Sequence, residues 1–228
     1  DSAIMAMFDR ANEVLGFDLK KICFEGPEED LQRSNICQPA IFVASAACYK
    51  AFGSKYPQAA DFDLAAGLSL GEWTALYAAG VLDFDSTLQV LEARGRFMQQ
   101  ACEEQPGGMI SVMGATLEQL QDICAKTGLV MANINSDQQV VLSGPQSGVA
   151  EAEKLTADAG LRSVVLKVAG AFHSPLMASA RKRLGDVLAK INFNAPTFTI
   201  VANVTGEPHS SSVDTIRETM LRQITESV

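Results

Sequence analysis

The sequence predicts an α/β fold in two parts, and two stretches carry that prediction. In the first, the short apolar run Phe62 to Ala66 meets Gly67-Leu68-Ser69-Leu70-Gly71, and a helix-forming run from Glu72 to Ala79 follows and stops at Gly80. A buried strand, a tight turn and a helix in that order form a nucleophile elbow. In the second, residues 107–169 alternate apolar runs and helical patterns as β-α-β-β-α-β, the ferredoxin-like supersecondary order. This places a small domain at 107–169, inserted between the two parts of a larger one, 1–106 and 170–228.

Taken in order, Ile4, Met7, Phe8, Ala11 and Val14-Leu15 space as an amphipathic helix ending at Gly16. Phe24 to Leu31 holds a Gly26-Pro27 turn and an acidic helix start. Gln38-Pro39 opens an apolar helix from Ala40 to Phe52, whose small residues suit close packing and which reads as core. A further helix spans Asp83 to Gln100. Gly95 inside it costs about 1 kcal/mol relative to Ala, which predicts that something approaches the helix closely there.

Within the second stretch, Met109 to Met113, Leu129 to Asn133, Gln139 to Ser143 and Ser163 to Val168 read as strands. Leu117 to Thr127 and Ser147 to Ala159 read as helices. After Ala169 come a basic helix from Ala178 to Lys190, a strand from Thr197 to Ala202, a polar loop and a final helix from Asp214 to Ile224.

Composition narrows the classes. At 228 residues, with 47% hydrophobic and 20% charged residues, the chain can bury a sizeable core and suits a soluble globular protein. No apolar run approaches the ~20 residues of a membrane-spanning helix, so no membrane role is expected. A net charge of −9 gives no reason to expect a nucleic-acid partner. Cys23, Cys37, Cys48, Cys102 and Cys124 are odd in number and widely spaced, which predicts reduced thiols, no metal site and a reducing interior compartment. Asp1-Ser2-Ala3-Ile4 shows no signal-peptide pattern and no starting Met, and an upstream segment is expected to have been removed.

Ser69 is the candidate nucleophile. Gly67 and Gly71 relieve crowding at its Cα, and the helix that follows aims its opening N–H groups at a developing oxyanion. A serine hydroxyl needs a general base. Of the two histidines, His209 sits in a polar loop and reads as solvated, which leaves His173. Arg94 and Arg96 read, on the residues alone, as surface charge.

Three segments then carry a resemblance: Gly67-Leu68-Ser69-Leu70-Gly71-Glu72, Leu91-Glu92-Ala93-Arg94-Gly95-Arg96-Phe97-Met98 and Gly170-Ala171-Phe172-His173-Ser174-Pro175-Leu176-Met177. Together with Asn133-Ile134-Asn135-Ser136 and Val140 to Gly144, they resemble the malonyl-CoA:acyl carrier protein transacylases of fatty acid and polyketide synthesis. The resemblance runs in order through nearly the whole chain.

It implies an α/β-hydrolase-like large domain with an inserted ferredoxin-like small domain. It also implies a ping-pong reaction, in which Ser69 takes a malonyl group from malonyl-CoA and passes it to the phosphopantetheine thiol of acyl carrier protein. His173 would take the Ser69 proton, the N–H of Leu70 would supply half of an oxyanion hole, and Arg94 would grip the malonyl carboxylate with its planar fork. Phe172 would wall off an α-methyl branch, a discrimination of about 1–3 kcal/mol. No cofactor is implied, because the phosphopantetheine belongs to the partner.

Two departures stand beside this. Leu68 replaces the His of many members. The family's N-terminal Gly-Gln-Gly-x-Gln segment and its C-terminal Gly-Pro-Gly-like segment, where a carbonyl orients the histidine, find no counterpart, which implies a trimmed protein or a truncated homologue.

Two other readings stay open. A serine hydrolase of the esterase or thioesterase type would use the same elbow with an acid such as Asp83, Asp85, Asp122, Asp137 or Asp158. A non-catalytic carrier-protein-binding module fits a truly truncated chain. Carriers are acidic, so Arg181-Lys182-Arg183 is the expected local docking patch on an otherwise acidic chain. The chain is expected to be a monomer in the cytoplasm, or in an organelle stroma or matrix.

Overall fold

The computed structural model describes residues 2–59 and 61–228, with no side-chain description at Ala59; Asp1, which opens the expected larger domain, lies outside them. The chain divides into two compact units, one of Asp1–Arg96 and Leu184–Thr219, the other of Phe97–Arg183 and Met220–Val228.

The first unit is built mainly of helices. α1 (Ser2–Leu15) ends at Gly16, α2 (Leu19–Glu25) is capped by the Asp18 side chain on the Lys21 N–H, and α3 (Glu28–Leu31) is a single turn. α4 (Ser34–Lys55) starts earlier than its apolar run predicts and carries Pro39 inside it. β1 (Leu64–Ala65) leads into α5 (Leu70–Ala78), and α6 (Phe84–Glu104) begins here. Phe42, Trp73, Leu76, Leu82, Leu88 and Leu91 are fully or almost fully buried, and Tyr77 meets the Phe42 ring edge-on at 5.2 Å between centroids.

In the second unit, β2 (Gly107–Met113), α7 (Leu117–Thr127), β3 (Val130–Ser136), β4 (Gln139–Pro145), α8 (Gln146–Asp158) and β5 (Arg162–Val165) follow in the predicted chain order. The strands pair antiparallel in the order β3-β4-β2-β5. Alternation along β2 and β4 sends Ile110, Val112, Val140 and Leu142 to the face that packs against Leu120, Ile123, Val149 and Ala152 of α7 and α8. Met109, Ala132 and Val141 lie on the opposite face with Leu166 and Phe172. Thr116 and Gln119 form a reciprocal capping box at the start of α7, and Gly128 ends it in the left-handed conformation. The chain then runs into α9 (Ala178–Leu188), β6 (Thr199–Ile200) and α10 (Val213–Arg222).

The expected fold class needs correction. An α/β-hydrolase-like domain rests on a broad central sheet, whereas the sheet of the first unit is a single parallel pair, β1 with β6, two residues on each side. The turn at Gly67 ends β1 early, and Leu64 is 56% exposed where a buried strand is expected. Nor is the four-stranded sheet a self-contained ferredoxin-like insert. A segment far along the chain from 107–169 bonds to its edge strand, because Val228 donates to Ala132 and accepts from Ile134, both in β3. The architecture is an α/β fold with two small sheets.

Gly95 meets its prediction. A Cβ there would lie 2.3 Å from the Ser34 carbonyl oxygen at the start of α4, with no flexible side chain to give way. Gly95→Ala should therefore destabilise the protein by about 1–3 kcal/mol despite the better helix propensity of Ala, as chemical denaturation would measure.

Candidate active site

Ser69 occupies the turn between β1 and α5 with φ +50° and ψ −99°, outside the regions an L-residue ordinarily adopts. Such a conformation costs about 1–3 kcal/mol and persists only where its surroundings fix it. Gly67 is indispensable to it, since a Cβ there would lie 2.2 Å from the Gly71 carbonyl carbon. Gly71 is not, because a Cβ added to it meets nothing within 4 Å, so only one of the two glycines relieves crowding. Leu70 is the first residue of α5, where helix N–H groups point out of the helix end.

Arg94, in α6, is 2% exposed and is no surface charge. Its Nη2 donates to Ser69 Oγ at 2.8 Å and its Nη1 to Gln38 Oε1 at 2.7 Å. Burial pushes the guanidinium down to about 10, against the opposing pull of the Glu72 carboxylate, and it remains a cation at neutral pH. Arg96, by contrast, is exposed and pairs with Glu92 at 2.9 Å.

Three residues that sequence reasoning passed over belong to this cluster. Gln38, read only as part of a core helix, orients Arg94. Asn203 accepts from the Ser69 N–H at 2.6 Å and donates to the Gly67 carbonyl at 2.8 Å. His209, expected to be solvated, has a side chain 1% exposed, with Nε2 2.7 Å from Glu72 Oε1. A polar loop gives no hint that its histidine folds inward onto a buried carboxylate.

The second unit holds His173 and Phe172. His173 is buried, has φ +54°, and its Nδ1 lies 2.6 Å from the Gln223 carbonyl oxygen. A carbonyl only accepts, so Nδ1 carries the proton and Nε2 is the basic nitrogen. Gln223 thus provides an orienting carbonyl, although the Gly-Pro-Gly-like segment expected to carry one finds no counterpart in the sequence. It occupies the Nδ1 position that a carboxylate fills in a Ser-His-Asp arrangement. The turn is pinned by Ser174, whose hydroxyl donates to the Ala171 carbonyl at 2.7 Å. Phe172 is half-buried against the Met109, Ala132 and Val141 face.

The expected basic patch is largely paired within this unit. Arg183 bonds Glu104, and also Gln100 at 3.0 Å, while Arg181 lies 3.7 Å from Glu226 and Lys182 is exposed. Pro175, Ala178, Arg181, Lys182, Thr225 and Glu226 line an open cavity of about 510 Å³. Among the described residues, no group of three or more His, Cys, Asp or Glu side chains is placed to hold a metal, and no helix is long and apolar enough to cross a membrane.

These features can be set against known proteins. The family described as "Acyl transferase domain" matches residues 2–227. The malonyl CoA-acyl carrier protein transacylase of Haemophilus influenzae is 36% identical over 226 residues, 97% of this chain and 72% of that protein. The polyketide biosynthesis protein ThaF of Burkholderia thailandensis is 36% identical over 235 residues, and the chain spans only 20% of its length. Among solved structures, the malonyl-CoA:acyl carrier protein transacylase of Xanthomonas oryzae superposes with a TM-score of 0.94 at 36% identity, covering 100% of this chain and 73% of that one. A malonyl-transacylase solved in complex with its type II polyketide acyl carrier protein gives 0.94 at 34% identity, covering 100% and 74%. On the family match over residues 2–227 and the identity to these transacylases, the chain belongs to the acyl transferase domain family, among its malonyl-CoA:acyl carrier protein transacylases.

Proposed function

We propose that this chain transfers a malonyl group from CoA to the phosphopantetheine thiol of acyl carrier protein by a ping-pong route through a malonyl ester of Ser69. The observation that carries the reading is the buried Arg94 guanidinium bonded to Ser69 Oγ. A serine that cleaves uncharged esters gains nothing from a buried cation at that distance. An acyl group with a carboxylate one methylene beyond its carbonyl does, because an ester on Ser69 brings that carboxylate to the guanidinium.

In this reading His173 Nε2 takes the Ser69 proton as Oγ attacks the thioester carbonyl. The Leu70 N–H donates to the oxyanion, and the C–S bond breaks as the leaving CoA sulfur takes from His173 the proton that came from Ser69. The second half runs in the opposite sense: the phosphopantetheine thiol gives its proton to His173, attacks the ester carbonyl, and Ser69 Oγ leaves with that proton. Phe172 disfavours a branched acyl group.

Water must be kept from the ester between the two halves, or the protein would act as a hydrolase. The carbonyl partner of His173, rather than a carboxylate, supports transfer over the hydrolase reading. The strained serine and buried arginine, retained together, support it over a non-catalytic binding module. The protein is proposed to act as a monomer in the cytoplasm or an organelle interior, with the exposed Lys182 at the rim of the 175–226 cavity as the part of the basic patch open to an acidic carrier.

Intact-protein mass spectrometry after brief mixing with malonyl-CoA should show a malonyl adduct that disappears in Ser69→Ala. Arg94→Ala should lower malonyl loading about a hundredfold while acetyl loading from acetyl-CoA changes far less. Free malonate without transfer to added carrier would point to a hydrolase instead. Lys182→Glu should raise the carrier KM several-fold with malonyl loading unchanged, as steady-state transfer assays would measure.

A further inference from the structure

The strained Ser69 turn has to be held by something other than its own backbone preference, and the reaction just described gives no task to Asn203, Glu72 or His209. We propose that Asn203 is a positioning residue for the nucleophile turn, fixed in place by the buried Glu72–His209 pair. The inference rests on the reading of Ser69 as the nucleophile.

One planar amide spans the turn. Asn203 Oδ1 accepts from the Ser69 N–H at 2.6 Å, and Nδ2 donates to the Gly67 carbonyl at 2.8 Å. Only this orientation of the amide satisfies both partners, since the opposite one sets donor against donor and acceptor against acceptor. The two gripped residues flank Leu68, so the clip closes the turn across its tip.

Asn203 is anchored in its turn. Its own N–H donates to Glu72 Oε1 at 3.2 Å, and the same oxygen lies 2.7 Å from His209 Nε2. Glu72 sits in the first turn of α5, three residues after Ser69, with its side chain fully buried. A buried carboxylate requires donors, and the loop after β6 supplies one from each arm. That loop is itself closed: Ala202 donates to Glu207 at 2.9 Å, Gly206 to Ala202 at 2.8 Å, and His209 to Ile200 at 2.8 Å. Asn203 and His209 therefore stand at fixed places on one rigid turn, and Glu72 ties that turn to the helix opening beside Ser69. Loss of the clip frees Ser69 to relax from φ +50° and moves Oγ away from its working position.

The test uses the full chain with Asn203→Ala, His209→Ala and His209→Gln, the last keeping a side-chain N–H for Glu72. Single-turnover acylation by malonyl-CoA, labelling of Ser69 by a small alkyl fluorophosphonate, and thermal melting are measured together. Asn203→Ala should slow both acylation and labelling about a hundredfold, while half-saturating malonyl-CoA stays within about threefold. His209→Ala should slow both by about tenfold, and His209→Gln should recover most of that loss. The His209 pair alone decides the matter if Asn203→Ala does not fold.

Rates unchanged in the folded variants, or a slowing of malonylation without slowing of fluorophosphonate labelling, would overturn the inference. A failure of the unaltered protein to react at Ser69 with either reagent would instead overturn the reading of Ser69 itself.

Discussion

A guanidinium buried against a serine hydroxyl is the constraint on which the rest of the first unit depends. Taking a cation out of water carries a large solvation cost that must be met by hydrogen bonds and opposite charge. Gln38 meets part of it through Nη1, and the field of Glu72 meets another part. The backbone makes this geometry possible at Gly95, one residue on. There α6 presses so closely on the start of α4 that no side chain fits, which brings Gln38 and Arg94, 56 residues apart in the chain, to 2.7 Å. The close approach has a packing cause and a chemical consequence.

Glu72 joins this constraint to a second one. It is the only fully buried carboxylate among the described residues, and it faces three directions: toward Arg94 by charge, toward the Asn203 N–H, and toward His209. The strained turn of Ser69 thus lies between two polar networks that share one carboxylate. If Ser69 is the nucleophile proposed above, it reaches its working geometry before substrate arrives, and electrostatic stabilisation then needs little reorganisation at the moment of reaction.

What was legible in the sequence follows from the range of each interaction. The elbow could be read because strand, turn and helix are contiguous and Gly67 has a local steric reason to be glycine. The chain order of the second unit could be read because β2, β3, β4 and β5 alternate with period two and α7 carries its own cap. Gly95 announced a close approach by its cost in a helix.

Long-range partners left no such mark. Asn203 meets Ser69 across 134 residues, and nothing in its neighbourhood marks it. Gln223 acts through a carbonyl, which every residue possesses, so no residue type could reveal it. Arg94 looked like surface charge because a basic residue in a helix usually is, and only the resemblance gave it a role. The breadth of the sheets was misread for a related reason. Short apolar runs predict strands but not how many of them pair, and among the described residues the sheet of the first unit joins just β1 and β6.

In the proposed reaction, Arg94 at Ser69 selects and holds a carboxylate-bearing acyl group. The most direct measurement is a crystal structure of the protein after reaction with malonyl-CoA. The expected result is an ester on Ser69 Oγ whose free carboxylate accepts two parallel hydrogen bonds from Arg94 at about 2.7–2.9 Å. An acyl group on another residue, or a carboxylate turned away from Arg94 with the guanidinium still bonded as it is now, would contradict it.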